Sequence, residues 1–226
     1  MIDTLFLDLD DTILDFGKSE DVAVRKALAS SGVEVSDAVV SRYSAINKLH
    51  WQRLERGELN REQVKVQRFE TLFRELGMQA DARRCALEYE ELLAEGFYFL
   101  PGAKEALDIL KEHYRLYLVS NGTFSVQHRR LTDSGLYPYF PQVFISEQIG
   151  ADKPSAAFFD HCFAHMDHPD RSKTLIIGDS MTSDMLGGIR AGLRTCWVNP
   201  GHLPRKFEVD YEIESLVQLP DLLKNA

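Results

Sequence analysis

From Leu116 onward the chain alternates short apolar runs with single stretches of helical periodicity, and few folds accept that pattern. Leu116-Tyr117-Leu118-Val119-Ser120, Val143-Phe144-Ile145-Ser146, Thr174-Leu175-Ile176-Ile177-Gly178 and Thr195-Cys196-Trp197-Val198 read as strands that are apolar on both faces. Between them, Ser125 to Ser134, Ser155 to Met166 and Thr182 to Ala191 read as helices, the first stopping at Gly135 and the third at Gly192. Ala103 to His113 is a helix ahead of these strands, and a last helix near Leu216 to Lys224 is expected on the outside. Parallel strands need such crossovers, so the pattern predicts an α/β fold, a parallel sheet with helices on both faces. Thr4 to Leu9 adds a strand of the same kind at the start of the chain.

Between that first strand and Leu100-Pro101-Gly102 the period changes. After a turn at Leu14-Asp15-Phe16-Gly17, apolar residues recur at three and four: Val39, Val40, Tyr43 and Ile46 in one stretch, Val64, Phe69, Leu72 and Phe73 in another. Gly32, Gly57 and Gly77 end helices, and Asn60 with Gln63 has the spacing of a capping box. The expected organisation is a core of residues 1–14 and 99–226, interrupted by a four-helix insert at residues 15–98.

Ligands of parallel sheets collect beyond the C-terminal ends of the strands, and here those ends are polar throughout. The first runs into Asp8-Leu9-Asp10-Asp11-Thr12, the next into Ser120-Asn121-Gly122, the third leads to Lys153-Pro154, and the fourth to Gly178-Asp179 and Asp184. Side chains alternate along an extended segment, so Asp8 and Asp10 are expected on one side, close enough to share a divalent ion. A solvated acidic turn explains a lone Asp-x-Asp, but not two acidic groups, a hydroxyl and a lysine at successive strand ends. His161 and His165 lack a third ligand nearby in sequence and read as helix-end residues, and Gly187-Gly188 as a close approach of helix to sheet.

The net charge of −9 weighs against nucleic-acid polymers and anionic membranes as partners. Residues 15–98 hold 13 Lys+Arg against 15 Asp+Glu, so most of the acidic excess lies in the segments that also carry the carboxylates. Three cysteines, far apart, argue against a disulfide framework and a zinc knuckle. With no basic leader and no long apolar run, the protein is expected to be cytoplasmic.

The four polar segments, in this order, resemble the motifs of the haloacid dehalogenase superfamily of phosphotransferases, and the resemblance spans the chain. Its first motif is similar to Asp8-Leu9-Asp10-Asp11-Thr12, its second to Ser120-Asn121-Gly122, its third to Lys153-Pro154, and its fourth to Gly178-Asp179 with Asp184; the insert is similar to the family's small α-helical cap. Ile46 to Trp51, Asn121 to Ser125, Leu186 to Gly192 and Thr195 to Asn199 resemble the pyrimidine 5′-nucleotidase branch.

That resemblance implies a Mg²⁺-dependent phosphomonoesterase acting on pyrimidine nucleoside monophosphates of the dUMP, UMP or dTMP type, as a monomer or homodimer. Asp8 is then the nucleophile that forms an aspartyl-phosphate, and Asp10 the acid and later the base. Lys153, Ser120 and the Asn121 backbone amide hold the phosphoryl oxygens, while Asp8, the Asp10 carbonyl and Asp179 bind Mg²⁺. Asp184 supports the metal shell or Lys153, and Thr12 orients Asp10. Trp51 and Phe16 are candidates to stack on a base, and Asn47 and Lys48 for polar substrate contacts. The alternatives are another small phosphate, such as phosphoglycolate or a sugar phosphate, and a non-enzymatic module binding phosphate and metal. Dehalogenase chemistry is disfavoured because that branch lacks the second aspartate, present here as Asp10.

Overall fold

The structure, a computed structural model, describes residues 1–224. Contacts divide the chain into two compact units, one of Met1–Phe16 with residues from 97 onward, the other of Gly17–Gly96.

The first unit is built on six parallel strands: β1 (Thr4–Leu7), β2 (Arg115–Ser120), β3 (Gln142–Ile145), β4 (Thr174–Gly178), β5 (Arg194–Val198) and β6 (Tyr211–Ile213), in the spatial order β3-β2-β1-β4-β5-β6. Alternation along the strands divides the core in two. Leu5, Leu7, Leu116, Leu118, Leu175 and Ile177 face one layer with Leu107 and Leu110 of α5 (Ala103–Leu110), Leu131 of α6 (Phe124–Asp133) and Leu219 of α10 (Leu219–Lys224). Phe6, Tyr117, Val119, Phe144, Ile176 and Trp197 face the other, against Phe158, Phe159, Cys162 and Phe163 of α8 (Ala156–His165). Each large apolar side chain so buried contributes about 1.5–3 kcal/mol.

Two short elements escape sequence periodicity: α7 (Ser146–Ile149) and the edge strand β6, whose three residues include one buried side chain, Ile213. The expected helix from Thr182 begins instead as a wide π-turn over Met181–Met185 and tightens into α9 (Leu186–Arg190). A Cβ on Gly187 would lie 2.7 Å from Phe159 Cε2, and one on Gly188 would lie 3.0 Å from Thr195 Cγ2 and closer still to Ile176. These glycines let α9 lie against the sheet and α8.

The second unit is helical: α1 (Phe16–Ser30, its first residue at the boundary), α2 (Asp37–Glu55), α3 (Arg61–Glu75) and α4 (Ala82–Leu93). Gly32, Gly57 and Gly77 follow the first three with φ of +80°, +72° and +66°, a left-handed conformation that costs other residues energy. Asn60 and Gln63 form the capping box at α3. Tyr43 packs 4.9 Å from Phe69 and 5.6 Å from Tyr89, ring centre to ring centre, in the interior.

Candidate active site

Asp8 is the first residue beyond β1. Its N–H donates to the Ile177 carbonyl of β4 (2.9 Å), which fixes the backbone at the centre of the sheet. Lys153, 1% exposed, comes from the segment after β3, and its ammonium donates to Asp8 Oδ1 (2.7 Å), Asp184 Oδ1 (2.6 Å) and the Val119 carbonyl (2.8 Å). Asn121 clasps the Lys153 backbone: its Nδ2 donates to the Lys153 carbonyl and its Oδ1 accepts from the Lys153 N–H, both at 2.9 Å. The second strand end thus orients the lysine of the third. Asp184, in the π-turn after β4, accepts from the Ser180 N–H at its other oxygen (3.1 Å). Glycine at 178 is required for this, since a Cβ there would lie 2.8 Å from Asp184 Cβ.

Asp8, Asp179 and Asp184 each offer a carboxylate oxygen within 4.8 Å of the others. Burial, with Asp184 and Asp10 adding to it, pushes Asp8 up to about 8 against the pull of Lys153. Burial and the neighbouring carboxylates Asp184, Asp8 and Asp11 likewise raise Asp179 well above the usual carboxylate range. Burial works against the charge on Lys153, but Asp184 and Asp8 outweigh it and hold the ammonium above its ordinary range. One ammonium does not neutralise three carboxylates, so the cluster calls for further positive charge. The donors are hard oxygens and nothing softer, a set that fits Mg²⁺.

Asp10 does not join this cluster through its side chain. β1 ends at Leu7, before the pair, and the chain turns: Asp10 bridges to Leu14, and Asp11 takes φ +54°. The Asp10 carboxylate instead accepts from Gln127 Nε2 (2.7 Å) and Arg130 Nη1 (2.5 Å) of α6. In the structure the two side chains take different partners, because β1 ends at Leu7 and strand alternation does not extend through the pair. Thr12, expected to orient Asp10, is buried with no hydrogen bond on its hydroxyl. Ser120 Oγ lies in the same network, accepting from Gln127 Nε2 (2.9 Å) and the Gly122 N–H (3.1 Å).

Three of these partners escaped sequence reading: Gln127, Arg130, and Trp197, whose indole Nε1 donates to the Asp179 carbonyl at 2.8 Å. The available signal was weak: a polar pair three apart, in the helix that opens directly after Ser120-Asn121-Gly122.

In the helical unit, Asn47 is buried with both ends of its amide engaged. Its Nδ2 donates to Glu20 Oε1 (2.6 Å) and its Oδ1 accepts from Arg68 Nη1 (2.9 Å). Its side chain is enclosed in the interior of that unit. Lys48 is exposed, Phe16 is half-buried, and Trp51 is half-buried with the Arg61 guanidinium 5.4 Å from its ring centre.

The model of the haloacid dehalogenase-like hydrolases matches residues 2–192. The chain belongs to this hydrolase family. It is 40% identical to the pyrimidine 5′-nucleotidase PynA of Streptococcus pneumoniae over 97% of this chain and 94% of that one. To the pyrimidine 5′-nucleotidase YjjG of Escherichia coli it is 31% identical, over 98% and 97%. To YfnB of Bacillus subtilis, named as a HAD-hydrolase, it is 38% identical over 97% and 94%. A crystal structure of YfnB bound to magnesium, which reveals interdomain movement in that protein, superposes with a TM-score of 0.94 over 99% of both chains at 37% identity. Among the described residues, no helix of this hydrolase is long and apolar enough to cross a membrane.

Proposed function

We propose that this hydrolase is a Mg²⁺-dependent 5′-nucleotidase that cleaves pyrimidine nucleoside monophosphates through an aspartyl-phosphate on Asp8. The observation that carries the chemistry is the buried Asp8–Lys153–Asp184 chain beside Asp179, with a second carboxylate, Asp10, held apart from it. Uncatalysed phosphate monoester hydrolysis is among the slowest known reactions, with enzymatic accelerations up to about 10²¹-fold, so dividing it into two displacements is of value.

In the first, an Asp8 oxygen bonds to phosphorus, the ester P–O bond breaks, and Asp10 gives its proton to the departing oxygen. In the second, water bonds to phosphorus, its proton passes to Asp10, and the acyl phosphate P–O bond breaks to return the Asp8 carboxylate and free phosphate. Lys153 and Ser120 supply fixed positive charge and a hydroxyl for the phosphoryl oxygens. Asp8, Asp179 and the Asp10 carbonyl would hold Mg²⁺, with Asp184 supporting them. The ion supplies charge that offsets repulsion between carboxylate and phosphate. The helical unit takes the place of the family's cap in the chain, and the candidates for substrate contact are Phe16, at the end of the first unit, with Lys48 and Trp51 of the helical unit.

The substrate class is supported by the names of PynA and YjjG, which the chain resembles over nearly its full length. Phosphate release with Mg²⁺ from dUMP, UMP, dTMP, purine monophosphates, phosphoglycolate and hexose phosphates tests it. Preference for the pyrimidine nucleotides is expected; preference for phosphoglycolate or a hexose phosphate would overturn the substrate assignment and leave the chemistry standing.

A further inference from the structure

Asp10 is anchored by two side chains that lie outside every motif. We propose that Gln127 and Arg130 are positioning residues for Asp10, which hold its carboxylate where the leaving oxygen is protonated; this rests on the acid and base role given to Asp10 above. Arg130 Nη1 donates to Asp10 Oδ1 (2.5 Å) and to Gln127 Oε1 (2.9 Å), while Gln127 Nε2 donates to Asp10 Oδ2 (2.7 Å) and to Ser120 Oγ (2.9 Å). A carboxylate rotates broadly about its last torsion, and a different donor on each oxygen removes that freedom. The same amide ties Asp10 to Ser120, so the proton donor and the phosphoryl contact are spaced as one body. Order established before the substrate arrives is entropy that the reaction need not lose later.

Burial of the pair is uneven. The Arg130 side chain is 1% exposed and that of Asp10 27%. Taking a guanidinium wholly out of water is costly unless its partners compensate. Here the arginine is enclosed and its carboxylate keeps an open side. Glycine at 122 points the same way: a Cβ there would lie 2.6 Å from Gln127 Cδ, so the turn after β2 is cut back to admit this side chain.

The test is the leaving-group dependence of kcat/KM, which includes phosphoryl transfer to Asp8 and excludes the later hydrolysis. p-Nitrophenolate departs without a proton, whereas the 5′-alkoxide of dUMP needs one. The holoenzyme and the Asp10→Asn, Arg130→Met, Arg130→Lys, Gln127→Met and Gly122→Ala variants are compared on both esters. General acid catalysis contributes about 10²–10⁴-fold, so Asp10→Asn should lose about that much on dUMP and far less on p-nitrophenyl phosphate. Arg130→Met, Gln127→Met and Gly122→Ala should lose about 10–100-fold on dUMP and about threefold or less on the aryl ester, with Arg130→Lys in between.

Equal losses on the two esters in the α6 variants, with Asp10→Asn still selective, would overturn the positioning role and leave Asp10 as acid. An Asp10→Asn variant without selectivity would overturn the acid role itself. Should Arg130→Met not fold, Gln127→Met decides, because it replaces a neutral side chain by a neutral one of similar length.

Discussion

Lys153→Met removes an ammonium that is 1% exposed and donates to Asp8 (2.7 Å), Asp184 (2.6 Å) and the Val119 carbonyl (2.8 Å). Methionine has nearly the same length, so the loss is of charge and donors rather than volume. Removing one partner of a buried ion pair costs about 3–5 kcal/mol, and an orphaned buried carbonyl adds about 1. Asp8 offers partial relief. Burial already raises its carboxyl, and without the downward pull of Lys153 it takes up a proton more readily in the variant, so that the two carboxylates repel less. The low end, about 3 kcal/mol, is the expected loss, and at about 2–4 °C per kcal/mol for a chain of this size the unfolding midpoint should fall by about 6–12 °C. Turnover should fall by at least about 10²–10³-fold, the scale for one preorganised donor to the reacting group. With the ammonium gone, Mg²⁺ is the remaining source of positive charge, so the metal should raise the midpoint of the variant more than that of the native protein. Thermal unfolding with and without Mg²⁺, alongside phosphate release, reads all three. An unchanged midpoint would refute the neutralising role, and normal turnover with a lowered midpoint would reduce Lys153 to a structural residue.

Three further substitutions probe the surroundings. Asn47→Ala should destabilise the protein by about 1–3 kcal/mol in thermal or urea unfolding with KM unchanged, because Glu20 and Arg68 each lose a buried partner; a raised KM with full stability would return Asn47 to the substrate. Gly188→Ala should cost about 1–3 kcal/mol by forcing α9 off Ile176 and Thr195, and an unchanged urea midpoint would contradict that packing. Trp197→Phe deletes the hydrogen bond to the Asp179 carbonyl and should raise the Mg²⁺ concentration for half-maximal activity by about tenfold, a metal titration of activity being the check.

Much of this architecture is written locally. Strands buried on both faces are continuous apolar runs, and β4 spans the very residues that the run Thr174 to Gly178 marks out. Helix ends in the second unit sit beside Gly32, Gly57 and Gly77 because only glycine takes those left-handed angles cheaply. β6 was illegible because a three-residue edge strand with one buried side chain has no period to read. The carboxylates and Lys153 stand out in sequence because charge at a strand end is unusual. Gln127, Arg130 and Trp197 do not, since an arginine or glutamine on a helix is ordinary until the fold aims it at Asp10. Asn121 shows the same limit: its place beside Ser120 marks the site, but the clasp on Lys153, 32 residues away, exists only in three dimensions.

The most direct measurement is acid-quenched mass spectrometry of peptides after mixing the Mg²⁺-loaded protein with dUMP, performed on the native chain and on Asp8→Asn and Asp10→Asn. A phosphoryl group should appear on the peptide that contains Asp8, vanish in Asp8→Asn, and, when Asp10→Asn is loaded with p-nitrophenyl phosphate, whose leaving group needs no proton, persist longer because the base for the second displacement is missing. Phosphate release from the native chain with no phosphorylated peptide, or turnover that survives in Asp8→Asn, would contradict the account.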